Sequence, residues 1–253
     1  MPDARSVKTE IQIRYSPMLQ FSSVIRRLMG KYGGLDGVDF NIQNQNQLEE
    51  RIIAGFQSEE YFFDCTWRRA AFVGQGERGS YNHRDGKVRF FFDLVEDISE
   101  LDFFTQFEGL ALVAFDTIPL KMGNDVTSVP ENPRVPIDEF SKAFLSSGHP
   151  TLSNPLSDVG VTLEWEESNP TISCTLGPFN PSKDVQNHNL VVFSSKEGPM
   201  SPDWAQVPSL LMRTEIVYSG RDLNHATYLE CNSVRQQVVK SVFSSLDHLE
   251  NGR

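Results

Sequence analysis

Apolar and polar residues alternate over residues 7–15, "VKTEIQIRY", with Ile11, Ile13 and Tyr15 on one side and Glu10, Gln12 and Arg14 on the other. A period of two predicts a strand with one wet face. The period then lengthens. Met18, Phe21, Ile25, Leu28 and Tyr32 recur at three- and four-residue steps, widened by Leu19, Val24 and Met29. Ser16-Pro17 reads as N-cap and first helical residue and Gly33-Gly34 as the stop, so a helix is expected between them.

Val38, Phe40 and Ile42 alternate again, and the Asn/Gln run over 43–47 reads as a turn. Residues 60–73 predict one strand, with Tyr61, Phe63, Cys65 and Trp67 on one face and Asp64, Thr66 and Arg68 on the other. Residues 87–95, "KVRFFFDLV", predict another through Val88, Phe90, Phe92 and Leu94. Ser99-x-x-Asp102 resembles a capping box, and "DFFTQFEGLALVAFDTI" behind it predicts a helix with a wide apolar face.

The texture changes over Lys121–Pro136, which hold three prolines and one glycine. That stretch is the expected boundary between an N-terminal unit, 1–120, and a C-terminal unit, 137–253. A short helix is expected over 137–148. Strand-like runs follow in "VGVTLEWEES", "TISCTL", "NLVVFSS" and "SLLMRTEIVYS", joined by long polar connections. From Asp222 onward Leu223, Ala226, Leu229, Val234, Val238, Val242, Leu246 and Leu249 form one stripe, which predicts a long terminal helix. The expected class is therefore α+β: antiparallel sheets packed against amphipathic helices in two sheet–helix layers, closed by a long C-terminal helix. The runner-up is one large sheet gripping that helix around an internal cavity. No repeat of solenoid or propeller period is present, although the two halves loosely share an order of elements.

Charge narrows the partners. The chain of 253 residues carries 23 Lys and Arg against 34 Asp and Glu, a formal charge of −11. Such a surface repels phosphate backbones and anionic lipid, which disfavours nucleic acid unless a local basic patch exists. Cys65, Cys174 and Cys231 are odd in number and far apart, so buried free thiols are expected rather than a disulfide framework or a zinc site. The first residues lack the apolar segment of a secretory signal, and no apolar run reaches the ~20 residues of a membrane span. A soluble, cytoplasmic protein without membrane contact is the expectation.

Candidate chemistry is sparse. Gly74-x-Gly76-x-x-Gly79 spells a nucleotide-binding fingerprint, which needs a strand before it and a helix after it. With a strand expected over 87–95, the glycines read as a hairpin tip, and no cofactor is expected. His83, His149, His188, His225 and His248 show no metal-ligand spacing, so no metal is expected. The acids Asp93, Glu96, Asp97, Glu100 and Asp102 read as the solvated start of the helix expected behind them. No G-x-S-x-G occurs. Trp67-Arg68-Arg69 is a basic–aromatic cluster, and with His83 and Arg84 at the glycine-rich loop it supplies the candidate ligand or partner contacts.

Three readings of function follow. The first is a non-catalytic interaction or regulatory protein, acting through an acidic surface and long loops on a protein partner or a second copy of itself. The second is a small-molecule binder with an apolar pocket between sheet and terminal helix. The third is an enzyme with a dispersed site, directed at RNA through Arg68, Arg69, His83 and Arg84. The absence of a recognisable catalytic motif favours the first.

Overall fold

The fold is seen in a computed structural model, which describes residues 5–32, 38–45, 47, 50–56, 61–75, 86–101, 104–119, 160–165, 169–188, 190, 209–220 and 223–251. Nine strands, β1 Arg5–Tyr15, β2 Val38–Gln43, β3 Arg51–Phe56, β4 Tyr61–Thr66, β5 Arg69–Gln75, β6 Phe107–Pro119, β7 Val161–Trp165, β8 Thr171–Pro178 and β9 Ser209–Ser219, form one sheet in the order β2-β3-β4-β5-β1-β6-β9-β8-β7. Every pairing is antiparallel. The described helices are α1 Phe21–Tyr32, α2 Gly86–Ser99, α3 Pro181–Asn187 and α4 His225–Asn251.

The order is nearly symmetric about the β1–β6 pair. Outward from it run β5, β4, β3 and β2 on one side and β9, β8 and β7 on the other. In both halves the strand beside the centre, β5 or β9, is followed in the chain by a helix, α2 or α4. Residues of both expected units therefore contribute to one sheet; the boundary expected at 121–136 and the helix expected at 137–148 lie outside the described residues.

One face of the sheet carries the main core. Ile11, Ile13 and Tyr15 of β1, Phe63 and Cys65 of β4, Phe72 of β5, Leu110 and Leu112 of β6, and Met212 and Ile216 of β9 pack there against α1, α2 and α4. α2 buries Val88, Phe91, Phe92, Val95 and Ile98 at helical spacing, and α4 buries Tyr228, Cys231, Val238 and Val242. Asn224 caps α4, its Oδ1 accepting from the amides of Ala226 at 2.9 Å and Thr227 at 3.1 Å. The opposite face carries a smaller core. Val7, Val113, Phe115, Phe179, Leu190 and Leu211 cluster there with Val185 of α3. A register shift between Ser6 and Lys8 marks a bulge at Val7, which joins this second cluster.

Five expectations are corrected. The first helix begins at Phe21 rather than at Pro17, because Tyr15 and Met18 donate backbone hydrogen bonds to Arg68 and Trp67 and hold the chain extended. Residues 60–73 are a hairpin: Thr66 pairs with Arg69 across a two-residue turn, Trp67-Arg68. Residues 87–95 are helical, the triple phenylalanine fitting both periods. Residues 107–119 are a central strand, apolar on both faces because core lies on either side of it. The connection "GPFNPSKDVQNH" also holds a helix, α3, which had no strong apolar signal. The opening strand, the strand at 38–43 and the long terminal helix are where the pattern placed them.

Candidate functional site

A transverse row on the second face of the sheet passes the β4–β5 turn at its middle. Arg14 of β1 pairs with Arg69 of β5, Arg69 with Thr66 of β4, and Thr66 with Arg51 of β3. Directly paired residues of antiparallel strands point to the same side, at steps of about 5 Å. Three arginines are thus drawn from three strands onto one line, and Arg68 lies beside the middle of it, in the turn between β4 and β5.

Asp64, one pleat along from Thr66, organises the row. Its carboxylate accepts from Arg51 Nε at 2.7 Å and Nη2 at 2.9 Å, and from Arg69 Nη2 at 2.8 Å. The Asp64 side chain is 2% exposed, whereas those of Arg51 and Arg69 are 39% and 34% exposed. The acid is therefore shielded behind two partly exposed cations. Arg14 is exposed. Arg68 lays its guanidinium over the Trp67 ring, 4.1 Å from the centroid. The turn is stitched to β1 and the chain after it: Tyr15 Oη donates to the Thr66 carbonyl at 2.7 Å, Tyr15 N to Arg68 O at 3.1 Å, and Met18 N to Trp67 O at 2.9 Å. Burial, with the Cys65 and Asp64 charges behind it, holds the Tyr15 phenol well above its ordinary range, so it remains a donor.

Trp67, Arg68 and Arg69 are therefore brought together, and the expectation that Trp67 and Arg68 lie on opposite faces is corrected: both occupy the turn, in contact. Arg14 and Arg51 join them unforeseen. Their signal was present in register alone, since 37 and 18 residues separate them from Arg51 and Arg69 respectively in the chain. His83 and Arg84 lie outside the described residues.

A helix, α2, does follow the glycine fingerprint, which corrects the argument that none does. Gly74 is a residue of β5, paired with Thr9 and Tyr61. Gly76 and Gly79 lie outside the described residues. β5 is antiparallel to both neighbours, so the parallel strand–helix–strand unit that carries a dinucleotide fingerprint is not formed around it. The acids Asp93, Glu96 and Asp97 sit in the second half of α2 rather than at a helix start, and Asp97 pairs with Lys31 of α1 at 2.7 Å. Among the described residues no group of three or more His, Cys, Asp or Glu is placed to hold a metal ion. No described helix is long and apolar enough to cross a membrane.

Cys65, Cys174 and Cys231 are buried and unbridged. Burial pushes the Cys65 thiol up to about 12 and those of Cys174 and Cys231 to about 11. Because these folded values exceed the ordinary 9.0, the neutral thiols contribute stability that is complete below pH 9 and is lost as pH rises through about 11 to 12. Thiolate absorbance of the native protein is therefore expected to appear only above about pH 10, whereas urea-unfolded protein titrates near 9. A native thiolate signal at pH 9 would show that at least one of these sulfurs is solvated.

A second arrangement lies at the other end of the same face. A cleft of ≈ 370 Å³ opens between α3 and strands β8 and β9, lined by Gly160, Thr175, Gly177, Asp184, His188 and Arg213 with Leu176, Pro178 and Leu211. Asp184 Oδ2 accepts from the Asn180 amide at 2.8 Å. The His188 ring packs on Phe115 with centroids 5.0 Å apart, and Lys8 Nζ donates to the His188 carbonyl at 3.1 Å. Arg213 donates to Glu215 through Nη2. Desolvation lowers His188 below its ordinary value, opposed by Asp184 and assisted by Arg213 and Lys8.

No family model matches the chain, and neither the curated proteins nor the solved structures give a match.

Proposed function

We propose that the protein is a non-catalytic interaction protein whose contact surface is the second face of its sheet, with the arginine row receiving an acidic segment of a protein partner. The observation that carries this reading is the alignment of Arg14, Arg51 and Arg69 across three strands, with Asp64 buried behind them, on a chain whose formal charge is −11. Concentrating cations against that background costs mutual repulsion, which an anionic partner relieves. Arginine suits the task because its planar fork binds carboxylates in pairs of hydrogen bonds and stays charged at any physiological pH. Asp64 fixes the guanidinium planes, so fewer rotamers are frozen on binding.

A nucleic acid is less favoured as occupant. The overall charge opposes long-range attraction to a phosphate backbone. Trp67 is poorly placed to stack on a base, since Arg68 covers its ring and the indole is half-buried against the main core. The RNA-directed reading also draws on His83 and Arg84, outside the described residues.

Arg14→Glu combined with Arg68→Glu tests the proposal. Both are exposed, and neither contributes to the Asp64 pairs. Fluorescence anisotropy with a glutamate-rich peptide is expected to show saturable binding that weakens with salt and falls about tenfold, or ~1.4 kcal/mol, in the double variant. A single-stranded oligonucleotide of equal charge is the second arm. Preferential binding of the oligonucleotide would replace the protein partner with a nucleic acid. Binding of neither probe, or equal binding by the double variant, would remove the row as a contact site.

A further inference from the structure

We infer that the cleft beneath α3 is a binding site for a small zwitterion, a molecule carrying a carboxylate and an ammonium group such as a free amino acid. The inference is independent of the arginine row, which lies in the other half of the sheet.

The second core cluster is what makes this site rigid. Phe179 and Leu190, which flank α3, are buried with Phe115, Val113, Val7 and Leu211 of the sheet, and the half-buried Val185 within α3 packs against them. That packing fixes a seven-residue helix which would not be stable alone. Phe179 N donates to Ser209 O at 2.8 Å and Lys8 Nζ to the His188 carbonyl at 3.1 Å, so both ends of the segment are tied to the sheet. Asp184 and His188 are four residues apart and both line the cleft. Arg213 of β9 and Thr175 of β8, directly paired, face them from the sheet. Gly160 and Gly177 add no side chains, which leaves the space open.

The polar groups are of opposite kinds on opposite walls. The α3 wall offers a carboxylate held in place by the Asn180 amide. The sheet wall offers a guanidinium that spends one N–H on Glu215 and keeps others. A carboxylate therefore finds Arg213 and an ammonium finds Asp184, while a purely anionic or purely cationic ligand leaves one of the two charges facing its own sign. Neutral imidazole at His188 and the Thr175 hydroxyl can each donate or accept, which suits the remaining ammonium and carboxylate positions. Leu211 and Pro178 supply apolar surface for a side chain, the Leu176 side chain being turned into the main core on the other face. The volume lies within the range of small-molecule sites, toward its small end.

The wild-type protein is titrated calorimetrically with each of the twenty free L-amino acids at millimolar concentration and neutral pH. At least one is expected to bind saturably. The best ligand is then compared with its C-terminal amide, which lacks the carboxylate, and its N-acetyl form, which lacks the ammonium; each is expected to bind at least tenfold more weakly. Arg213→Met and Asp184→Asn should each lose binding to a similar degree, while circular dichroism confirms that they fold. Should either variant fail to fold, the amide and N-acetyl comparison on the wild type decides alone. Absence of saturable binding across the panel overturns the proposal, as does an amide or acetylated form that binds as well as the parent.

Discussion

Replacement of Arg235 by leucine is expected to destabilise the protein by about 3–5 kcal/mol, the usual consequence of breaking a buried ion pair from one side. Arg235 of α4 is 8% exposed and Asp116 of β6 is 2% exposed. Arg235 Nη2 donates to Asp116 Oδ1 and also to Ser6 Oγ at 3.2 Å. Around this pair Asp116 Oδ2, Arg235 Nε and Asn232 Oδ1 are buried without a hydrogen-bond partner. The Ser6 hydroxyl that would remain beside the carboxylate is neutral and does not replace the lost cation.

The sign of the pH dependence distinguishes this cause from lost packing. Desolvation already raises Asp116 above its ordinary value, with Arg235 and Ser6 opposing. A carboxyl whose folded value is raised contributes stability that is present below its unfolded value and lost as pH rises through the folded one. Without Arg235 the folded value climbs further. The deficit of Arg235→Leu should therefore be larger at pH 7 than near pH 4, where the carboxyl is protonated. Urea unfolding at the two pH values measures it. Combining Arg235→Leu with Asp116→Asn should recover part of the loss at pH 7. A deficit below about 1 kcal/mol at pH 7 would mean that water reaches the pair.

Val238→Asp is expected to cost about 3 kcal/mol or more, by burying a carboxylate with no cation arranged for it. Val238 is 6% exposed and lies in the main core with Val242, Cys231 and Tyr228 of the same helix. Chemical unfolding or a shifted melting temperature reads the effect. A variant of wild-type stability would show that α4 leaves the sheet readily and is a docking helix rather than core.

What the sequence revealed depended on whether a local period had one explanation. The alternation of Ile11, Ile13 and Tyr15 against Gln12 and Arg14 admits one reading, and β1 is where it falls. The stripe through Val234, Val238 and Val242 is long enough to exclude a strand, and α4 spans it. The run "LALVAF" fits a buried helix or a strand covered on both faces equally well, and only the position of β6 between two packed neighbours decides it. The triple phenylalanine at 90–92 is ambiguous for the same reason. At the candidate site, Trp67, Arg68 and Arg69 are adjacent in the chain and could be singled out. Arg14, Arg51 and Asp64 became partners through strand register, which no local pattern encodes. The cleft under α3 was invisible because its walls come from three separate segments.

The central position of β6 also bears on how the chain is made. β6 pairs with β1, which precedes it, and with β9, which begins at Ser209, ninety positions after Pro119. A ribosome adding roughly 5–20 residues per second needs about 5–18 seconds to cross that interval. Throughout it the nascent chain carries β6 with one edge unpaired, and that edge belongs to an apolar segment prone to self-assembly. Yield of folded protein should therefore depend on translation speed and on chaperones that shield an open strand, more than on the stability of the finished sheet.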